Sequence, residues 1–345
     1  VYDDEFDGTS DDEEFCYEDF DDEGNSLGEV CETFDFSSPS VGDWGGIYFG
    51  NSEGSSLENV SFRYAQDALT VYSSEAHFKN LSITYGESGL VAFNNSQVEL
   101  SGGVFDVLDG EALTLFNSSS LVASDLTISN SLGESVSIFN DSSLEFNNLT
   151  ISNVYSNVVD ISNNSSFTGE NLKVEYIIEH SSDAVVVYNN SDFSIKNSSF
   201  KGCPSGACVT FFDGKKYLST PSSINIENTV FDGGIGSALL TFSDSQITVS
   251  VKNSSFKNFD LYAIENYADF IINAENNFWG DASGPFSEEL NPTGLGEFIF
   301  GNVSFDPWCK DITCKTRHPV IIVPGLLGTE INKQTASGVE KLWLD

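Results

Sequence analysis

The fold the sequence predicts is all-β: a right-handed parallel β-helix of about nine to ten coils over residues 41–308, assembled from short stacked repeats. Three observations predict it. Phe93-Asn94, Phe116-Asn117 and Phe139-Asn140 recur at a spacing of 23, and Asn163 continues the Asn series. Val98, Leu121, Leu144 and Phe167 keep the same interval, as do Phe105, Ile128, Ile151 and Val174. The runs at 113–116, 136–139 and 159–161 alternate apolar and polar positions and are rich in β-branched and aromatic residues, which marks them as strands. A repeat this short cannot bury its own apolar face, so it must stack on its neighbours. Coils paired at about 4.8 Å make a rod of roughly 45 Å.

Residues 1–40 open the chain as an acidic, low-complexity segment. From Tyr2 to Asp35 there are sixteen carboxylates and no basic residue, interleaved with Phe6, Phe15, Phe20 and Phe34. Carboxylates at that density repel one another, so the segment reads as solvated chain. Calcium is the one cofactor to weigh, with Asp19, Asp21, Asp22 and Glu23 as candidate ligands, although the spacing lacks the alternate acidic positions and terminal Glu of an EF-hand loop. The six cysteines fall into three sequence-local pairs, Cys16–Cys31, Cys203–Cys208 and Cys309–Cys314. None has CxxC spacing, so small disulfide clips in an exported protein are expected.

The coils begin at Trp44-Gly-Gly-Ile-Tyr-Phe49 and run regularly to about residue 175. Beyond that the inward position moves from Val159 to Val185, Val209, Leu239 and Ile264, at intervals of 26, 24, 30 and 25. Solenoid insertions map to corner loops, which often meet partners. Two corners are therefore candidate contacts for a surface glycan or envelope protein: the hexapeptide Cys203–Cys208, and the loop from Asp213 to Pro221 with its two lysines. Asn-x-Ser/Thr matches, Asn59, Asn80, Asn117, Asn148 and Asn197 among them, are what Asn-Ser corners produce, and double as glycan acceptors where the source glycosylates.

Fourteen Lys+Arg against 53 Asp+Glu give a formal net charge of −39. That surface repels nucleic acid and anionic membrane, whose phosphates need basic partners. No stretch approaches the 18 apolar residues of a membrane span, and no basic-then-apolar leader stands at Val1, so any signal peptide is expected to have been removed or not included; with the paired cysteines, a secreted or cell-surface, monomeric protein is expected. Catalysis on the coils themselves is disfavoured. A uronate lyase needs an Arg or Lys base beside bound calcium, and this region has one arginine, Arg63, and scattered lysines. The histidines His77 and His180 fall four to five coils apart, too far for one site.

Two resemblances follow from these motifs. The WGGI-F opening at Trp44, Asn276-Asn-Phe-Trp-Gly-Asp-Ala-Ser-Gly-Pro285 and Gly301-Asn-Val-Ser-Phe-Asp-Pro-Trp308 together resemble bacterial secreted right-handed β-helix repeat proteins over residues 42–308. After Cys309–Cys314 the composition changes: His318-Pro-Val-Ile-Ile-Val-Pro-Gly-Leu-Leu-Gly-Thr-Glu330 is an apolar run suited to a strand buried on both faces. With Leu342-Trp-Leu-Asp345 it resembles the start of the lecithin:cholesterol acyltransferase-like lipases, Leu344 standing where Pro is frequent. The resemblance implies an α/β-hydrolase strand whose following turn offers the Leu326 or Leu327 backbone N–H to an oxyanion. No GxSxG elbow follows the turn, so residues 309–345 are expected to be a linker and the first strand of a truncated acyltransferase or lipase domain, with no complete active site. The alternative is a free-standing adhesion or glycan-binding β-helix; a polysaccharide lyase or hydrolase comes third.

Overall fold

The computed structural model describes residues 13–20, 26–34, 39–175, 183–213, 222–243, 247–313, 332–335 and 338–341, and every regular element among them is a strand. The chain divides into two compact units, Val1–Cys314 and Lys315–Asp345. The larger is a parallel β-solenoid of about nine turns. Each turn lays one strand on each of three faces. Face A is an 11-stranded sheet that runs in order from Ile47–Gly50 to Ile299–Phe300. Faces B and C belong to one 15-stranded sheet, because long strands such as Gln97–Leu108 and Ser120–Ser131 bend partway and serve both.

The 23-residue ladders stack as the spacing requires. Val98 pairs with Leu121, Leu121 with Leu144 and Leu144 with Phe167, all pointing inward from face B. Phe105, Ile128, Ile151 and Val174 form the face C ladder. The drifting positions stay in register too: Val159 pairs with Val185, then Val209, Leu239 and Ile264 in turn. Toward the C-terminal end, inward aromatic rings take over as Phe200, Phe231, Phe256 and Trp279 stack at 5.1, 5.1 and 4.9 Å between centroids.

The corners explain the Asn and Ser content. Between faces A and B two consecutive residues take positive φ, as at Asn94/Asn95, Asn117/Ser118, Asn140/Asp141, Asn163/Asn164 and Asn189/Asn190. Asn reaches that left-handed region at less cost than other side-chain-bearing residues. Its carboxamide then bonds the turn below: Asn117 Nδ2 donates to Asn94 Oδ1 at 3.1 Å, Asn140 to Asn117 at 3.3 Å and Asn163 to Asn140 at 3.2 Å. Just past the corner runs a buried serine ladder that the sequence reading missed. The Ser96 N–H donates to Ser119 Oγ at 3.2 Å, Ser119 N–H to Ser142 Oγ at 3.1 Å and Ser142 N–H to Ser165 Oγ at 3.2 Å. Each rung supplies an acceptor for a backbone N–H that neither strand ladder satisfies. Ser142→Ala should cost about 1–2 kcal/mol by stranding the Ser119 N–H away from water, read as a lowered denaturant midpoint. An unchanged midpoint would show the rung to be idle.

In the N-terminal segment the structure adds order to what composition reads as solvated chain: Glu13–Phe20 pairs antiparallel with Ser26–Phe34. Aromatic and β-branched residues among the carboxylates, Phe15, Tyr17 and Val30, supply the strand preference. In the smaller unit Asn332–Thr335 pairs antiparallel with Gly338–Lys341. The apolar run from Pro319, with Leu326 and Leu327, lies outside the described residues, as does Leu342-Trp-Leu-Asp345.

Candidate functional site

Face A turns its outward side chains into three parallel rows along the solenoid axis. The middle row is Thr70, Val91, Thr114, Ser137, Asp160, Val186, Thr210 and Leu240, each in register with the next. At the strand ends an aromatic row runs Tyr72, Phe93, Phe116 and Phe139, then resumes with Tyr188, Phe212 and Phe242 after a single break at Ser162. Phe93, Phe116 and Phe139 stack nearly flat at 5.0 and 5.3 Å, so their rims face outward, and Phe139 ends this part of the stack with Ser162 as its next register partner. On the opposite side Glu111 and Glu134 occupy equivalent places in successive turns.

The break in the aromatic row opens a groove of about 560 Å³, lined among others by Glu111, Thr114, Glu134, Phe139, Asp160 and Tyr188. Asp160 sits at its centre. Tyr188 and Ser162 stand beside it, and Ser137 Oγ donates to Glu134 at 2.6 Å. Burial, reinforced by the neighbouring Glu134 charge and only partly countered by Tyr188, pushes Asp160 up to about 6. Between about pH 4 and pH 6 the native state therefore holds a proton that the unfolded chain has released. The stability this residue contributes is complete below its unfolded value and declines as pH rises through about 6. In Asp160→Asn that decline disappears, so the variant should gain relative to the parent as pH goes from 4 to 7. The gain is no more than about 2 kcal/mol at this half-buried carboxyl, given solvent screening. Parallel stability curves for the two proteins would refute the assignment.

No face A strand contains a Lys or Arg. The described cations lie mostly on faces B and C, in columns of alternating sign. Glu170, Lys196, Glu227 and Lys252 make one column, and Glu175, Lys201, Asp232 and Lys257 another. Lys257 Nζ lies 2.9 Å from Asp232, whose carboxyl is held below its ordinary value chiefly by that hydrogen bond. His77, on face B, is bracketed by Glu99 at 3.0 Å and Glu75 at 3.2 Å, and the Glu99 hydrogen bond raises its pKa. The Arg63 carbonyl accepts from Trp44 Nε1 at 2.7 Å, tying the opening residues to the first turn.

The sequence-predicted site residues distribute as follows. Cys203 and Cys208 form a disulfide, and the corner they close does not protrude. Both are buried, and the next turn lies over them through Gly236 N–H to the Pro204 carbonyl at 3.0 Å and Ser237 N–H to that of Gly206 at 2.9 Å. Asp183 braces the same corner from below, its carboxylate accepting from the Ala207 N–H and the Thr210 hydroxyl. Cys16 and Cys31 are register partners on their two strands, and Cys309 is disulfide-bonded. Cys314, His180, the loop residues 214–221 and the calcium candidates Asp21, Asp22 and Glu23 lie outside the described residues; Asp19 falls at a register irregularity near the end of its strand. No group of three or more His, Cys, Asp or Glu side chains among the described residues is placed to hold a metal ion. None of the described helix-free chain supplies a helix long and apolar enough to cross a membrane. The groove around Asp160 was missed by the sequence reading. Its signal was there in the offset of one turn between Glu111 and Glu134 and between Ser137 and Asp160, but one acidic residue inside an alternating strand carries no motif.

Residues 33–175 match a family model described as a right handed beta helix region. With the parallel register of both sheets, this makes the solenoid a right-handed parallel β-helix. No curated protein and no solved structure matches the chain.

Proposed function

We propose that this β-helix is the non-catalytic recognition scaffold of a secreted serine acyltransferase or lipase resembling the lecithin:cholesterol acyltransferase-like family. The observation that carries the reading is the change at Cys309. The last turns close on Trp308, whose ring packs beside Phe305 and under the Lys310 ammonium at 4.2 Å. Immediately afterward comes the apolar run from Pro319 to the Gly328 turn, where the resemblance places Leu326 and Leu327 as backbone oxyanion donors. The buried disulfide Cys203–Cys208 fits an oxidising compartment. The coils supply a filled interior and long regular faces, which suits them to hold and orient.

The test is to read the encoded sequence beyond Asp345 and assay its product on a chromogenic ester. The reading expects a GxSxG segment, hydrolysis by the longer product, loss on replacing that serine by alanine, and none from residues 1–345 alone. A stop codon directly after Asp345, or hydrolysis that survives loss of the serine, overturns it.

A further inference from the structure

We propose that the face A groove at Asp160 binds an extended, hydroxyl-rich glycan that bears no acidic group. This goes beyond the acyltransferase reading and does not depend on it.

The shape comes first. Strands cross the solenoid axis, so a groove lined by residues from Ser88, Glu111, Glu134, Asp160 and Tyr188 spans five successive turns and runs lengthwise. At about 4.8 Å per turn that is a slot roughly 20 Å long, suited to a linear chain and too shallow to enclose a compact ligand. Its two sides differ. One presents the carboxylates of Glu111 and Glu134, the other the rims of Phe139 and Tyr188, over a floor of Val91, Thr114, Ser137 and Asp160. A pyranose chain has the matching asymmetry, with hydroxyl edges on one side and C–H surfaces on the other. The hydroxyls of Thr114 and Tyr188 supply donors and acceptors along the slot and the carboxylates of Glu111 and Glu134 add acceptors, while the bordering Asn140 and Asn163 carboxamides are engaged in the corner ladder.

Charge then selects among chains. Because no face A strand contains a Lys or Arg, a uronate or sulfate would meet Glu111, Glu134 and Asp160 with no cation among the described groove-lining residues to balance it. A peptide is the other extended ligand to weigh. Strand addition needs free backbone groups at an edge, whereas strands in the middle of an 11-stranded sheet have theirs committed to neighbours on both sides. Polyol hydroxyls need only the side chains that face A offers. The raised pKa of Asp160 adds to this, since a carboxyl that titrates near neutrality can donate to an oxygen as well as accept from a hydroxyl.

The experiment uses the whole 345-residue chain on a printed array of neutral, amine-bearing, uronate-bearing and sulfated glycans, with octalysine as a peptide probe. Signal should be confined to neutral or amine-bearing chains. Thr114→Lys, which fills the slot, should abolish it. Asp160→Asn should weaken it about tenfold, the worth of one hydrogen bond to a charged group. Glu145→Lys, on face B, should leave it unchanged. If Thr114→Lys does not fold by circular dichroism, Glu111→Gln replaces it, with the same direction expected. Absence of signal from every glycan, retention of signal in both slot variants, or preference for the acidic chains overturns the proposal. Capture of octalysine in place of glycans reassigns the groove to a cationic peptide and equally overturns it.

Discussion

Excision of residues 113–135 should leave a folded protein one turn shorter, while excision of residues 113–124 should leave none. The first cut removes 23 residues, the interval between bonded corner residues such as Asn94 and Asn117. It joins Ala112 to Val136, which steps into the place of Leu113 above Leu90. Every ladder is then restored across the junction: Val98 meets Leu144, and Phe105 meets Ile151. The second cut removes about half a turn. It deletes the face A strand Leu113–Phe116 and the face B half of Ser120–Ser131, so face C sequence would fall where a face A strand belongs, and inward apolar residues would be swung to solvent along the downstream stack. In a solenoid each turn is stabilised mainly by its two neighbours, so a misfit turn uncouples everything on either side. Far-UV circular dichroism and cooperative melting would separate the outcomes. Equal behaviour of the two deletions would mean that stacking register does not determine this fold.

Phe231→Ala should be the most damaging single substitution among the conservative ones, with a loss of about 3–5 kcal/mol. Its ring is fully buried and lies between Phe200 and Phe256, each 5.1 Å away and nearly parallel. Truncation removes two ring contacts along with the buried area, and it opens a void that rigid strands on three sides cannot collapse to fill. Phe231→Leu keeps most of the volume and should lose well under half as much. Chemical denaturation read by tryptophan fluorescence suits the purpose, because Trp279 ends the same stack. A loss below about 1 kcal/mol for the alanine variant would mean that the turns relax around the gap.

The solenoid was legible because backbone stacking turns a one-dimensional interval into a three-dimensional contact. Val98, Leu121 and Leu144 could be paired from the sequence alone, and so could Val185 with Val209 despite uneven spacing, since an inward strand position must be apolar whatever the length of the corners. The serine ladder was harder to see. Ser96, Ser119 and Ser142 share the interval, but serine is common at exposed corners, and only the buried Oγ atoms distinguish a structural rung from a solvated side chain. The Cys203–Cys208 corner reads as a candidate contact loop because its intervening residues, Pro204 to Ala207, are typical of loops. The structure places the next turn directly over it. The groove was least legible. It arises from one missing aromatic ring at Ser162 and one carboxylate at Asp160, and neither has meaning until the rows on either side are laid next to each other.

The two corner ladders have one more consequence, for how such a rod is made. In the Asn series the later turn donates to the earlier one, as Asn140 does to Asn117; in the Ser series the earlier turn donates to the later, as Ser119 does to Ser142. A partly built stack therefore shows one waiting amide hydrogen and one waiting carboxamide oxygen at its growing end, a pair that only a newly arriving turn of the same hand can answer. A chain delivered to the outside with its amino end leading would meet that template anew at every step, and assembly would advance in one direction like a ratchet.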